Sequence, residues 1–275
     1  MTKQRSNYKI PRRTFLKVCA AAAAAGLTAC GKMQTAAALP ELTVGSDNYP
    51  PFNYVGTDGA PTGVDVELAT EAFRRLGYRA KFVTIDWEKK KELVENDTID
   101  CIWGSFSMDG REEEYHWAGP YLYSRQVVAV NANSGIETLA DLAGKTMMVQ
   151  STTKPEEIFL GGTDPRIPQF GELLSTEDRS VQYAMLNCGY VDAIAAHETA
   201  ILQYMQDCNA DFRILEEPLL VTGIGVAFAL NDTRGLDEKL TETLAAMRAD
   251  GTLKQIVGKY LPDPEKYLEV DALEP

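Results

Sequence analysis

The sequence predicts an α/β protein of two lobes, each a doubly wound and mostly parallel sheet. Three observations carry the prediction. Residues 42–104 alternate short β-branched runs with helical patterns in the order β-α-β-α-β; the alternation breaks at an extended run and restarts; a second extended run then precedes a terminal pair of helices. In the first series "LTVGS" (42–46) reads as a strand and "VDVELATEAFRRLG" (64–77) as a helix, with Leu68, Ala72, Phe73 and Leu76 on one face and Gly77 as its stop. "KFVTI" is a strand, "DWEKKKELVEN" a helix and "DCIWG" a strand. A sheet wound this way places ligands at the carboxyl ends of its strands.

"SRQVVAV" (124–130) is the extended run at the break, and it leads into "GIETLADLAG". "KTMMVQ" opens the second series, which continues through the helix "TEDRSVQYAMLN", the strand "YVDAIAA" and the helix "ETAILQYMQ". "GIGVAFAL" (223–230) is the second extended run, and "DEKLTETLAAMRADGTLKQIVGKYL" reads as two helices parted near Gly251. No repeat of 20 to 50 residues is visible.

Ahead of this body, the first 29 residues hold Lys3, Arg5, Lys9, Arg12, Arg13 and Lys17, no acid, and then an alanine-rich apolar stretch. That stretch is well short of the roughly 20 residues that span a bilayer, so it reads as an export signal rather than a membrane helix. "PRRTFLK" resembles a twin-arginine export motif and "LTAC" resembles a lipobox, which predicts removal of residues 1–29 and lipid on the sulfur of Cys30. Residues 30–40 then read as a lipidated tether. The whole chain carries 27 Lys and Arg against 40 Asp and Glu, net −13; loss of six cations leaves 21 against 40, net −19. Such a balance excludes nucleic acid and a basic membrane-binding face, leaving the lipid as the membrane contact on the extracytoplasmic side.

Cys101, Cys188 and Cys208 remain after the signal and the lipid site. Cys188 and Cys208 close successive predicted helices with a strand between, an arrangement that allows a disulfide; two separate buried thiols are the other reading. With only His116 and His197 in the chain, a His-rich metal site is excluded and a Cys/His zinc set is disfavoured, so no metal or cofactor is expected. There is no G-x-S-x-G and no Walker sequence, and "GIGVAF" has only two of the three dinucleotide glycines. Phosphate chemistry and nucleophilic acyl transfer therefore have no visible machinery, and no enzyme activity is expected.

Seven segments in order, "VGSDNYPPFNY", "GAPTGVDVELATEAFRRLG", "DWEKKKELVENDTIDCIWGSFSMDGRE", "AGPYLYSRQVVAV", "TLADLAGKTMMVQSTT", "YVDAIAAHE" and "ADGTLKQIVGKYL", resemble the periplasmic-type solute-binding proteins of ABC importers, and among them the polar amino-acid-binding family, from about Leu42 to Leu261. The resemblance implies the type II periplasmic-binding-protein fold. Lobe 1 would comprise 41–127 and 226–275, lobe 2 would comprise 128–225, and the runs at 124–130 and 223–230 would be hinge strands with the ligand in the cleft between lobes. It also implies a small-molecule ligand such as an amino acid, a membrane permease as partner and a monomeric chain.

A desolvated carboxylate is best gripped by a guanidinium through two parallel charge-assisted hydrogen bonds. By resemblance, Arg111 takes that role toward an α-carboxylate, Ser105 and Ser107 offer hydroxyl and backbone groups, and Thr152 and Thr153 close from the other lobe. Glu112, Glu113 and Glu114 are expected to face solvent as a helical first turn. Tyr49 and Phe52 after the first strand, Trp87 after the second and Trp103 at the end of the third are candidate aromatic walls, and Asp47 is a candidate for a polar or cationic group. Each of these aromatics has core packing as its competing role.

The resemblance places an ammonium-binding aspartate where this chain has His197, followed by Glu198. Three readings stand: neutral His197 accepts from the ammonium, Glu198 takes the ion pair, or the ligand lacks an ordinary α-ammonium. A helix N-terminal residue without ligand contact is the structural alternative. The same fold also hosts a cyclohexadienyl or arogenate dehydratase, for which Glu156 or Glu198 would supply the acid, and ligand-sensing domains of receptors. Importer binding is the most economical of the three.

Overall fold

In a computed structural model the chain is described from residue 38 to residue 269. The export motifs, Cys30 and most of the tether lie outside those residues. Among the described residues, no helix is long and apolar enough to cross a membrane.

Strand β1 (Glu41–Ser46) runs parallel to β4 (Arg79–Thr84) on one side and to β5 (Cys101–Ser107) on the other. Between β1 and β4 lie a small hairpin, β2 (Tyr54–Val55) with β3 (Pro61–Thr62), and helix α1 (Val64–Leu76), which Gly77 ends in the left-handed conformation. α1 buries Leu68, Ala72 and Phe73, the stripe expected from its sequence period. Trp87–Lys89 is a single 3-10 turn capped by Asp86, and α2 (Lys90–Glu95) completes the next crossover.

The long β6 (His116–Asn131) then breaks the pattern. Its first part pairs antiparallel with β11 (Leu220–Phe228), its later part with β9 (Ala193–His197), and its end with β10 (Phe212–Ile214). β7 (Thr146–Gln150) lies parallel between β9 and β8 (Glu172–Thr176). Helices α3 (Lys154–Gly161), α4 (Arg179–Asn187) and α5 (Glu198–Cys208) belong to this series, and α6 (Leu236–Ala249) and α7 (Thr252–Val257) follow β11. Strand order across the sheet is β4-β1-β5-β11-β6-β9-β7-β8, with β10 beside β6.

The apolar clusters divide along the same line. Two of them draw only on residues 127–219. The other two draw on 42–122 and 224–267, with Ala200 the single residue from between. β6 and β11 are the strands common to both sides, so each half buries its own core while the chain passes between them twice.

Several local expectations are corrected. Glu112, Glu113 and Glu114 form tight turns rather than a helical turn: Arg111 N donates to Met108 O and Glu114 N to Arg111 O. Glu112 still finds backbone donors there, which hold its carboxyl below the usual range. The helix expected from Thr176 starts at Arg179, because Asp178 accepts from Ser180 N as its cap and Thr176 belongs to β8. α3 escaped notice because a proline stands in its first turn. Cys188 and Cys208 do end successive helices, but both are exposed and stand as separate thiols.

Candidate functional site

A cavity opens where the carboxyl ends of β5, β7 and β9 converge. Its wall draws on both series: Trp87, Gly104, Ser105, Phe106, Ser107 and Arg111 from the first, Gln126 from β6, and Thr152, Thr153, Lys154, Pro155, Arg179, Ala195, Ala196 and His197 from the second. Gly104 is required by space, since a Cβ there would lie 2.2 Å from Ser46 Oγ on β1.

Two non-glycine wall residues adopt the left-handed backbone conformation, Ser105 at φ 50° and Thr152 at φ 58°. That geometry costs on the order of 1 kcal/mol each and persists where surrounding contacts enforce it. At Ser105 the enforcer is Asp65, whose Oδ2 accepts from Ser105 N at 2.8 Å while Oδ1 accepts from Tyr121 Oη at 2.8 Å. At Thr152, Glu156 accepts from the backbone N at 2.6 Å, and Lys90 Nζ donates to Oγ1 at 2.9 Å and toward the carbonyl at 3.3 Å. Lys90 sits against the Trp87 ring, and burial followed by the Arg111 charge pulls its ammonium down to about 8.

Arg111 is buried in the wall, with Nη1 donating to Ser107 O at 3.3 Å and Nη2 paired at 3.0 Å with Glu157 of α3. Glu157 is half-exposed and also pairs with Lys154. On the other side, Arg179 lies 3.4 Å from the Tyr49 ring centroid and 3.3 Å from Asp47 Oδ2. Gln150 holds the same Asp47 oxygen at 2.9 Å. Ser105 Oγ and Arg179 Nε are buried wall atoms without a hydrogen-bond partner in the chain, the pattern of groups shaped for a ligand.

His197 ends β9 and caps α5. Its Nε2 lies 3.0 Å from Ser105 O, which can only accept, so Nε2 carries the proton; Nδ1 then accepts from the Ser124 hydroxyl at 2.9 Å. The Gln126 amide abuts Nε2 at 2.9 Å, and with its oxygen turned to that N–H the unpartnered Oε1 gains a donor. Burial, with the Arg179 charge second, pushes the imidazolium down to about 3, so the ring is neutral at pH 7.

Two buried groups here set opposing pH dependences. The unfolded His197, near its ordinary 6.5, binds a proton that the folded ring refuses, so this contribution to stability is lost as pH falls from about 6.5 toward 3. Burial pushes the Asp65 carboxyl from 3.8 up to about 7, so the folded state holds a proton that the unfolded one has released, and that contribution is lost as pH rises through 7. Asp65→Asn is therefore expected to steepen the loss of stability between pH 7 and pH 4, and His197→Asn to flatten it. Urea midpoints at pH 4, 5, 6 and 7 measure both slopes; equal slopes in the two variants would refute the assignment.

Of the twelve residues proposed from sequence, seven line the cavity: Arg111, Ser105, Ser107, Thr152, Thr153, Trp87 and His197. Five do not. Trp103 is fully buried in the core between Phe73 and Tyr121. Phe52 packs behind His197, and Tyr49 is the platform under Arg179, its hydroxyl accepting from His197 N at 3.3 Å. Asp47 holds Arg179, and Glu198 is paired with Arg125 at 3.4 Å and Lys266 at 3.5 Å. Sequence reasoning passed over Gln126, Lys154 and Arg179. Arg179 did carry a signal: it is the first residue of α4, where the helix dipole disfavours a cation, so it needed another reason to be there. Among the described residues no group of His, Cys, Asp and Glu is placed to hold a metal ion.

Two α/β series that meet through shared strands, with a polar cavity walled by both, define a two-lobe ligand-capturing protein of the type II periplasmic-binding-protein fold. The chain belongs to the bacterial extracellular solute-binding proteins, family 3, whose model matches residues 42–263. It is 29% identical over 226 residues to the L-cystine-binding protein TcyJ of Escherichia coli strain K12, covering 80% of this chain and 82% of that one. It is also 29% identical over 236 residues to the histidine-binding periplasmic protein of Salmonella typhimurium strain LT2, covering 82% and 89%. The solved substrate-binding protein of an ABC uptake transporter from Streptococcus pneumoniae, with bound histidine, superposes with a TM-score of 0.75 at 25% identity, covering 80% of this chain and 92% of that one.

Proposed function

We propose that this protein is the solute-binding component of an ABC importer, taking an amino acid or a related small carboxylate into the cavity and delivering it to a membrane permease. Lobe 1 is 41–127 with 226–275 and lobe 2 is 128–225, and the chain works as a monomer held at the extracytoplasmic membrane face by lipid on Cys30. The observation that carries the reading is the buried Arg111 guanidinium in a cavity to which both lobes contribute. The relatives named above bind amino acids, which supports the ligand class.

Contacts across the cavity supply the mechanism. Lys90 with Thr152, Arg111 with Glu157, and Asp47 with Gln150 and Arg179 join one series to the other. Ligand bonded to both lobes adds to these contacts and shifts the population toward the closed form, the form that a permease recognises. Dehydratase chemistry has less support, because neither acid proposed for it lines the cavity. Glu156 is bound to Thr152 N and Ser175, and Glu198 to Arg125 and Lys266.

The test is a thermal-shift screen of the full-length chain against the twenty amino acids, polyamines, dicarboxylates and arogenate, with the arogenate sample assayed for product. A ligand at 100 times its Kd adds about 2.7 kcal/mol. One class of small carboxylate is expected to raise the midpoint clearly; turnover of arogenate, or no shift with any compound, would refute the proposal.

A further inference from the structure

Taking the cavity as a solute site, we infer that its ligand is a short aliphatic dicarboxylate without an ammonium group, rather than an ordinary α-amino acid. The first ground is charge. The wall contains Arg111, Lys154 and Arg179, and no Asp or Glu. Lys90 and Glu156 each lie one hydrogen bond behind Thr152, outside the wall. Against these three wall cations stand two acids, Glu157 on Arg111 and Lys154, and Asp47 on Arg179. The surplus is one positive charge, which an anion offsets and a zwitterion of zero net charge does not. Asp65 lies behind Ser105, outside the wall, with both oxygens engaged by Tyr121 and the Ser105 amide.

The second ground is that the wall offers no carboxylate to an ammonium. His197 uses both ring nitrogens within the protein, donating to Ser105 O and accepting from Ser124, so it has no lone pair to offer. Glu198 is turned to Arg125 and Lys266. Of the three readings that His197 raised, two therefore lose their acceptor. Among the described residues the buried carboxylate oxygen without a partner is Asp47 Oδ1, on a residue outside the wall.

The third ground is a pair of features that favour anions directly. Thr153 caps α3, Arg179 opens α4 and His197 caps α5, and all three line the cavity, so three helix N-termini converge there. Arg179 is buried against Tyr49 and its Nε has no partner in the chain, which marks it as a donor for a second acidic group beyond the one that Arg111 takes.

Matched pairs that differ by the ammonium test this: glutarate against L-glutamate, and succinate against L-aspartate, titrated calorimetrically into the full-length chain. At least one dicarboxylate is expected to bind tenfold or more tightly than its amino-acid counterpart. His197→Asp, which restores a carboxylate to the wall, is expected to shift that ratio toward the amino acid by tenfold or more. Amino acids bound as tightly as the dicarboxylates, or more tightly, would overturn the dianion while leaving the solute-binding reading intact. If no dicarboxylate and no amino acid binds, both fall together.

Discussion

Arg111→Ala is expected to weaken ligand binding by roughly thirtyfold or more, about 2 kcal/mol at the least. That is the usual cost of truncating one partner of a desolvated, hydrogen-bonded charge pair. The cost is large because the ligand carboxylate would still have to leave water on entering the cavity, without the guanidinium that replaces its hydration. The folded protein should tolerate the change. Glu157, the acid left behind, is half-exposed and keeps Lys154 as a partner, and the bond from Trp117 Nε1 goes to the Arg111 backbone carbonyl, which alanine retains. Isothermal titration of the ligand found by screening, beside a urea melt, separates the two effects. Undiminished affinity in a folded variant would remove Arg111 from the site and end the carboxylate-grip reading.

Trp103→Ala is expected to do the reverse, costing about 3–5 kcal/mol of stability, as truncation of a fully buried large aromatic does. Trp103 is 0% exposed, meets Phe73 edge-on at 5.8 Å and tilts against Tyr121 at 5.6 Å, in the core that α1, β1 and β5 share. No repacking side chain could fill the space without disturbing those rings. Since Trp103 points away from the cavity, the fraction that stays folded should bind ligand within about threefold of the parent, the change being structural rather than direct. Chemical denaturation and titration at 10 °C read the two quantities. A stable variant that has lost affinity would return Trp103 to the cavity wall.

These two variants show where pattern was a sufficient guide. The crossovers were legible because each was written in local chemistry: the apolar face of α1 and its glycine stop, β-branched β1, and the break at β6. Arg111, Ser105, Ser107, Thr152 and Thr153 were legible because they lie at or just beyond the carboxyl ends of β5 and β7, where neighbours in sequence are neighbours in the site. Trp87 and Trp103 read alike from sequence, but Trp87 follows β4 and lines the cavity, while β5 runs on to Ser107 and leaves Trp103 mid-strand in the core. Where a buried strand ends depends on the layers that cover it, and the alternation of side chains along it follows from that.

From sequence alone came the two α/β series, the family they resemble, the arginine and hydroxyl loops and the oddity of His197. All of these depend on residues close together in the chain, where helix and strand periods leave a visible trace. Only the tertiary structure decided that His197 has both nitrogens committed and that Glu198 faces Arg125 and Lys266. It also decided that Arg179, 68 residues along the chain from Arg111, shares the same cavity. Charge balance in a cavity is a sum over side chains brought together by strand order, and no local pattern records which of them will meet.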